Sequence, residues 1–92
     1  MEHYGTMTME EIRAKLKKLL VEELFLEDIT PEEIADDEVL FGDGLGLDSL
    51  DAVEIVVLLQ RHWGIEVRDM EEGRKIFYSI DTLAQFVHEN TG

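Results

Sequence analysis

Apolar residues recur at intervals of three and four positions in the first third of the chain, the spacing of a helix with one buried face. Thr8 and Glu11 stand at the spacing of a capping box, which predicts a helix from about Met9 to about Phe25. The residues predicted to face the core are Ile12, Leu16, Leu19, Leu20 and Leu24. This stretch therefore predicts a first amphipathic helix.

A second helical pattern begins at Ser49 and ends near Trp63, where Gly64 is a typical stop signal. At about 100° per residue, one apolar face contains Ala52, Ile55, Val56, Leu59 and Trp63. Nearly opposite lies a narrower stripe of Leu50, Val53 and Val57. A surface helix needs only one apolar face, so the stripe is either covered by the preceding loop or exposed for partner proteins. We favour docking of partners.

The last part of the chain predicts one short helix and one longer helix. Residues 69–75 form a short, weak helix or turn, with Ile76 and Phe77 after it as core anchors. Ser79 can cap a last helix, whose inward stripe is Ile80, Leu83, Ala84 and Val87, extended by Phe86. The predicted fold class is all-α, a four-helix bundle of three main helices and one short helix, with a long loop between the first two main helices.

The loop from Glu27 to Asp48 is expected to have structure of its own. Pro31, directly after Thr30, predicts a single helical turn. Apolar residues follow at Val39, Leu40, Phe41, Leu45 and Leu47. We expect this segment to lie over the core, with glycines allowing backbone angles that other residues resist. Residues 1–7 carry no pattern, which predicts a disordered N-terminus followed by a single domain at residues 8–90.

The chain is strongly acidic, with 22 acidic residues against 8 lysines and arginines and a formal net charge of −14. Between Lys18 and Arg61 there are thirteen acidic residues and no lysine or arginine. Such a field excludes nucleic acid as the expected partner and favours the basic surface of another protein. The alternative interpretation is that the charge only keeps a small protein soluble.

The sequence also indicates where in the cell the protein is expected. It contains no cysteine, which excludes disulfides and thiolate metal sites. No apolar run approaches the length of a membrane span, and the N-terminus lacks a signal-peptide pattern. We therefore expect a soluble cytoplasmic protein, and a monomer.

No arrangement of residues indicates catalysis at Ser49. A serine hydrolase needs a histidine base, but His62 lies about 20 Å from Ser49 along the helix axis at 1.5 Å per residue. The flanking residues Leu47-Asp48 and Leu50-Asp51 do not match a nucleophile elbow. The neighbouring glycines lack the lysine of a phosphate-binding loop, and the nearby aspartates do not fit a calcium loop. No catalytic residue and no metal ligand is predicted.

Ser49 is distinguished by its position at the start of a helix, after a glycine-rich loop. A phosphate attached there would lie beside free backbone N–H groups and the positive end of the helix dipole. The hydroxyl could instead serve only to cap the helix. We favour an attachment point for a phosphodiester.

The residues Asp48-Ser49-Leu50-Asp51, followed by Ala52-Val53-Glu54, resemble the modification motif of acyl carrier proteins. The resemblance covers about residues 8–87 and implies a four-helix bundle without catalytic activity. In that family the serine matching Ser49 receives 4′-phosphopantetheine from coenzyme A through a magnesium-dependent phosphopantetheinyl transferase. The thiol of the arm then carries acyl groups as thioesters in fatty-acid or polyketide synthesis. The absence of cysteine agrees with this, because the chain itself offers no thiol.

The resemblance also implies roles for the neighbours of Ser49. Asp48 would help to engage the transferase and its metal. The transferase, ketosynthase, acyltransferase or ligase would meet a partner face of Leu50, Asp51, Val53, Glu54 and Val57. An acyl chain could enter a core lined by Leu47, Ile55, Leu59, Ile65, Ile76 and Leu83, although plain core packing accounts equally well for these residues.

Some features of the sequence resemble those of specialised carriers of secondary pathways. Asp48 before the serine resembles acyl rather than peptidyl carriers. The segment from Arg68 to Ser79 looks longer than in the housekeeping fatty-acid carrier, and the loop at residues 40–47 is similar to carriers of aryl polyene or polyketide-like pathways. The cargo stays open and includes a short or aminoacyl group. The alternative function is an unmodified acidic helical module that binds a basic partner, and an unrecognised hydrolase is the weakest hypothesis.

Overall fold

The computed structural model describes residues 8–91, which form an α-helical bundle. The elements in chain order are α1 (Met9–Glu23), a 3₁₀ turn (Pro31–Glu33), α2 (Ser49–Trp63), α3 (Met70–Ile76) and α4 (Ile80–Thr91). The only β-type pairing in the described residues is two isolated bridges, Val39 with Ser79 and Phe41 with Leu47. The predicted all-α bundle with a long loop between the first two main helices is confirmed. Residues 1–7, for which disorder is predicted, lie outside the described residues.

The start of α1 follows the predicted capping box, but its end differs slightly from the prediction. The Thr8 N–H donates to Glu11 Oε1 at 2.9 Å, and the Glu11 N–H donates to Thr8 Oγ1 at 3.1 Å. The helix ends at Glu23 because Phe25 adopts a left-handed conformation with φ of +55°. The Leu26 N–H then reaches back to the Val21 carbonyl at 3.0 Å, a common hydrogen bond at helix ends.

The core lies between α1, α2 and α4, with α1 packed mainly against α4. The predicted inward faces are confirmed: Ile12, Leu16, Leu19 and Leu20 of α1 and Ile80, Leu83, Ala84 and Val87 of α4 are all buried. In α2 the buried residues are Ile55, Leu58 and Leu59. Gly64 ends α2 with φ of +70°, as predicted from its stop signal. No helix in residues 8–91 has the length and apolar character needed to cross a bilayer.

The loop before α2 is held over the core by its own backbone and by the chain before α4. The Leu45 N–H donates to the Val39 carbonyl at 2.9 Å, and the Leu40 N–H donates to the Tyr78 carbonyl at 3.0 Å. A Cβ added at Gly44 would overlap the Val39 carbonyl oxygen, so only glycine fits this crossing. The loop therefore reaches Ser49 along a fixed path.

Ion pairs connect α1 with the loop and with the start of α4. Lys17 Nζ lies 2.6 Å from Asp36 Oδ1, and Arg13 lies 3.5 Å from Asp36 and 3.6 Å from Asp81. The hydrogen bond from Lys17 lowers the pKa of the Asp36 carboxyl below its ordinary value, against the opposing effect of burial, and the charges of Lys17 and Arg13 add to the lowering. These contacts join α1 to the loop and to the start of α4.

Candidate functional site

The start of α2 is capped by Asp48, so the alternative interpretation that Ser49 serves only as the cap is wrong. Asp48 Oδ1 accepts hydrogen bonds from the N–H groups of Leu50 at 3.0 Å and Asp51 at 3.2 Å. Asp51 Oδ2 accepts in return from the Asp48 N–H at 3.0 Å. Ser49 is the first residue of the helix and is exposed, and its hydroxyl takes no part in these bonds. The sequence offers both Asp48 and Ser49 as caps, and the structure assigns the cap to the acid.

This cap also changes what the helix start can offer to an anion. The Leu50 and Asp51 N–H groups already donate to Asp48 Oδ1, and the Ala52 N–H donates to the Asp48 carbonyl at 3.1 Å. The expectation of several free backbone N–H groups beside a phosphate on Ser49 is therefore wrong. The carboxylates of Asp48 and Asp51 interact favourably with the helix dipole themselves.

The second apolar stripe of α2 is exposed. Leu50, Val53 and Val57 have 76%, 54% and 40% of their surface accessible, the fraction falling with distance from Ser49. Glu54 beside them is exposed as well. The loop does not cover the stripe, so the alternative in which the stripe packs under the preceding loop is excluded. The predicted partner face is therefore available at the surface.

A cleft of about 510 Å³ opens directly beside Ser49. The loop contributes Phe41 and Leu47 to its lining, and the residues directly after α3 contribute Phe77 and Tyr78. The polar groups at this cleft belong to Asp48, Ser49, Arg74 and the phenol of Tyr78. The site therefore places one accessible hydroxyl at the edge of a mainly apolar and aromatic cleft.

The six residues predicted to form an acyl pocket are all buried, with exposures between 0% and 9%. Leu47 also lines the cleft beside Ser49. The other five pack in the core and do not line that cleft, namely Ile55, Leu59, Ile65, Ile76 and Leu83. Their role as pocket residues stays a prediction that would require the bundle to open.

Sequence reasoning missed most of the cleft residues. Gly73, Arg74, Phe77 and Tyr78 stand in the segment that looks longer than in the housekeeping carrier, but their position at the same cleft as Ser49 depends on the contact between Leu40 and Tyr78. Nothing local in the sequence indicates that pairing. The unusual length of residues 68–79 was the one available signal.

His62, the histidine weighed as a base for Ser49, lies away from it. His62 stands near the far end of α2, where its Nε2 is 3.6 Å from Glu23 Oε2. Within residues 8–91, no three side chains of histidine, aspartate or glutamate are arranged to hold a metal ion.

Comparisons with known proteins agree with this geometry. A family model described as "Phosphopantetheine attachment site" matches residues 14–88. Proteins named "Acyl carrier protein" from Bradyrhizobium sp. (strain ORS 278), Rhodopseudomonas palustris (strain TIE-1) and Nitrobacter hamburgensis are each 34% identical to the chain over 82 residues. Each match covers 89% of this chain and 96% of the relative. The matched residues include Ser49, all of α2 and the cleft.

Proposed function

This chain belongs to the family of acyl carrier proteins, non-catalytic carriers with a covalently attached 4′-phosphopantetheine arm, and we propose that Ser49 carries the arm. The observation that supports this most directly is the exposed hydroxyl of Ser49, which the Asp48 cap leaves unused. The other serine of the chain, Ser79, is 3% exposed, and its hydroxyl oxygen accepts a hydrogen bond from the Thr82 N–H. Of the two serines, only Ser49 offers its oxygen to an enzyme.

The surroundings of Ser49 fit this prosthetic group. The hydroxyl stands at the mouth of a cleft whose apolar and aromatic walls suit the methyl and amide groups of a pantetheine arm. When bound, the arm supplies the thiol that this cysteine-free chain lacks. The protein's own contribution is to hold α2 and the loop in place so that Ser49 meets a partner enzyme in one orientation.

The face around Ser49 suits partners with basic surfaces. Leu50, Val53 and Val57 offer apolar contact, while Asp51 and Glu54 attract lysine and arginine. Asp48 makes its capping bonds through Oδ1, and we assign its Oδ2 to the transferase and its metal. The expected partners are the phosphopantetheinyl transferase and enzymes of fatty-acid or polyketide-type synthesis. Cytoplasmic location, a monomeric state and a specialised pathway stay predictions from the sequence.

Loading of the purified chain tests the proposal. Incubation with coenzyme A, magnesium and a broad-range phosphopantetheinyl transferase should add the mass of one arm. Ser49→Ala should add none, and Ser79→Ala, which removes the other serine, should be loaded like the native chain. An unmodified native chain, or undiminished loading of Ser49→Ala, would contradict the assignment.

The exposed apolar stripe also supports a second candidate, an acidic module that binds a basic partner without modification. The two functions differ in their dependence on Ser49. For the unmodified module, Ser49→Ala would bind its partner as the native chain does, and Val53→Asp would abolish binding. For a carrier, Ser49→Ala removes function even where docking persists.

A further inference from the structure

Phe25 stands just after α1 in a backbone conformation that suits glycine rather than phenylalanine. Its φ is +55°, and among residues 8–91 it is the one residue other than glycine with a positive φ. The hydrogen bond from the Leu26 N–H to the Val21 carbonyl spans it, an arrangement in which helices commonly end on a left-handed glycine. A Cβ destabilises this conformation. The backbone therefore gives no reason for phenylalanine at this position.

The ring of Phe25 does not serve the core either. The residue is 81% exposed, compared with 76% for Leu50 of the partner face. Its neighbours Leu24 and Leu26 are partly buried against the core, and Phe25 between them is not. Single exposed hydrophobic residues are common on protein surfaces, but here the exposure coincides with an unfavourable backbone. Neither local conformation nor packing accounts for the side chain, which leaves contact with another molecule.

Phe25 lines an open hollow of about 630 Å³ that combines apolar and acidic side chains. The apolar lining comes from the half-buried residues Leu26, Ile29 and Leu45. The charged side chains that line the hollow are all acids: Glu27, Asp28, Glu33 and Glu38. Within residues 8–91 none of these four carboxylates forms an ion pair. The hollow therefore presents an exposed ring beside negative charge that the fold itself does not neutralise.

This combination fits the surface of a protein that carries lysine or arginine around an apolar pocket. Aromatic side chains are enriched in the cores of interfaces, and opposite charges around them favour encounter and fix the orientation of the partners. A second copy of this chain is disfavoured, because each copy has a formal net charge of −14. The anionic surface of a membrane would be repelled for the same reason.

The hollow lies close enough to Ser49 for one partner to cover both. Leu45 lines the hollow and precedes Ser49 by four residues, a span of at most about 14 Å. The hydrogen bond from the Leu45 N–H to the Val39 carbonyl, at 2.9 Å, fixes this part of the loop. An interface of ordinary size covers about 800 Å² on each partner, roughly 30 Å across. Phe25 is therefore within reach of an enzyme that docks at Ser49.

We propose that Phe25 is a second anchor for partner enzymes and selects among those that visit Ser49. The selected enzyme inserts the ring into an apolar pocket, and lysine or arginine around that pocket faces the carboxylates of the hollow. The inference rests on the proposed function, because the partner is an enzyme that acts on the arm at Ser49. It adds a contact on the far side of the loop from α2, where the partner face lies.

The melting temperature of Phe25→Asn tests whether the ring serves the fold. Asparagine tolerates the left-handed conformation better than phenylalanine, so the substitution should raise the melting temperature by about 4 °C. Tyr78→Asn is the matched control, because it removes another exposed aromatic ring from a residue without a positive φ and should give no such rise. A lower melting temperature for Phe25→Asn would mean that the ring stabilises the fold, and would overturn the argument for a binding role.

Photocrosslinking of the loaded chain identifies the partner. A benzophenone amino acid is placed at position 25, or at the exposed position of Gln85 on α4 as a control, and irradiated in a lysate of the source organism. We expect position 25, and not position 85, to capture an acyl-transferring enzyme, which is then identified by mass spectrometry and purified. Capture of a second copy of this chain, or of nothing beyond the products at position 85, would overturn the proposal.

The affinity of the purified enzyme for variants of the chain then measures the anchor. Phe25→Asn should weaken binding at least about tenfold, as for an aromatic anchor in an interface, and Phe25→Leu should retain part of the affinity. Glu27→Gln should weaken binding and reduce its dependence on salt, whereas Glu89→Gln, which removes the same charge from exposed α4, should change neither. Unchanged affinity of Phe25→Asn would overturn the role of Phe25.

The failure of this inference is distinguishable from failure of the proposed function. If the native chain takes up no arm, the proposed function and this inference are both overturned. If the arm is added at Ser49 and the purified enzyme binds Phe25→Asn like the native chain, the attachment stands and the second anchor is wrong. Val53→Asp should also weaken binding of the same enzyme; unchanged binding of this variant would contradict one partner that covers both sites.

Discussion

The two serines of this chain both stand at the start of a helix, yet their hydroxyls have opposite roles. Ser79 is 3% exposed, and its Oγ accepts the Thr82 N–H at 3.3 Å. The Thr82 hydroxyl in turn accepts the Ser79 N–H at 2.9 Å. Ser49 is exposed and one position further into its helix, after an acid that does the capping. A serine becomes available for modification here because a neighbour has taken over its structural role.

The surroundings of the two helix starts differ in the same way. The start of α4 is anchored by the Asp81 N–H, which donates to the Asp36 carbonyl at 2.9 Å, and by the ion pair between Asp81 and Arg13. The start of α2 is held by its own capping box and by the loop. One helix start is built into the bundle, and the other is presented at the surface.

Replacing each serine by alanine should show this difference most strongly. Ser79→Ala removes a cap in a buried position and should lower the free energy of unfolding by about 1–2 kcal/mol. Ser49→Ala removes the same atom from an exposed site that makes no such bond, and should change it by less than about 0.5 kcal/mol. Urea unfolding of both variants measures the contrast. Equal destabilisation would contradict the different roles assigned to the two hydroxyls.

Substitutions of Asp48 separate its cap from its charge. Asp48→Ala should lower the free energy of unfolding by about 1 kcal/mol. Asp48→Asn should retain most of the native stability, because asparagine caps helices well. If Oδ2 also engages the transferase, Asp48→Asn should load at least about tenfold more slowly, as expected for a lost contact to a charged group worth about 1.5–3 kcal/mol. Stability is measured by urea unfolding and loading by intact mass over time. Native loading rates for Asp48→Asn would restrict Asp48 to capping.

The contacts of Asp36 with α1 should make the stability of the protein depend on pH, although this effect should be smaller than those above. Because the hydrogen bond from Lys17 lowers the pKa of this carboxyl in the folded protein, its contribution is complete above the ordinary pKa and is lost as the pH falls through the folded value. The carboxylate is about half exposed, with 47% of its side chain accessible, so Asp36→Asn should lower the free energy of unfolding at neutral pH by less than about 1 kcal/mol. In strong acid the variant and the native chain should converge. A difference that persists unchanged in acid would show that the effect of the substitution is not electrostatic.

Much of the fold follows from local sequence signals. The capping box of Thr8 and Glu11, the turn at Pro31 and the stop at Gly64 each act within a few residues, and the structure confirms all three. The two apolar stripes of α2 follow from helical spacing alone, and the exposure of Leu50 agrees with the docking interpretation of the outer stripe. These features need no knowledge of distant contacts.

The parts that sequence reasoning missed depend on choices between neighbours or on distant contacts. Asp48 and Ser49 are both good caps, and only the observed hydrogen bonds decide between them. Gly44 is required by the approach of the Val39 carbonyl rather than by an unusual backbone angle. The cleft beside Ser49 exists because the loop pairs with Tyr78, far away in the sequence.

The site of attachment can be read directly from peptides of the loaded native chain. Trypsin cleaves after lysine and arginine, and Ser49 lies between Lys18 and Arg61 whereas Ser79 lies after Lys75, so the two serines fall in different peptides. We predict that tandem mass spectrometry will find the whole arm on Ser49 in the peptide of residues 19–61. An arm on Ser79, or on any residue other than Ser49, would contradict the claim that the Asp48 cap leaves Ser49 as the attachment residue.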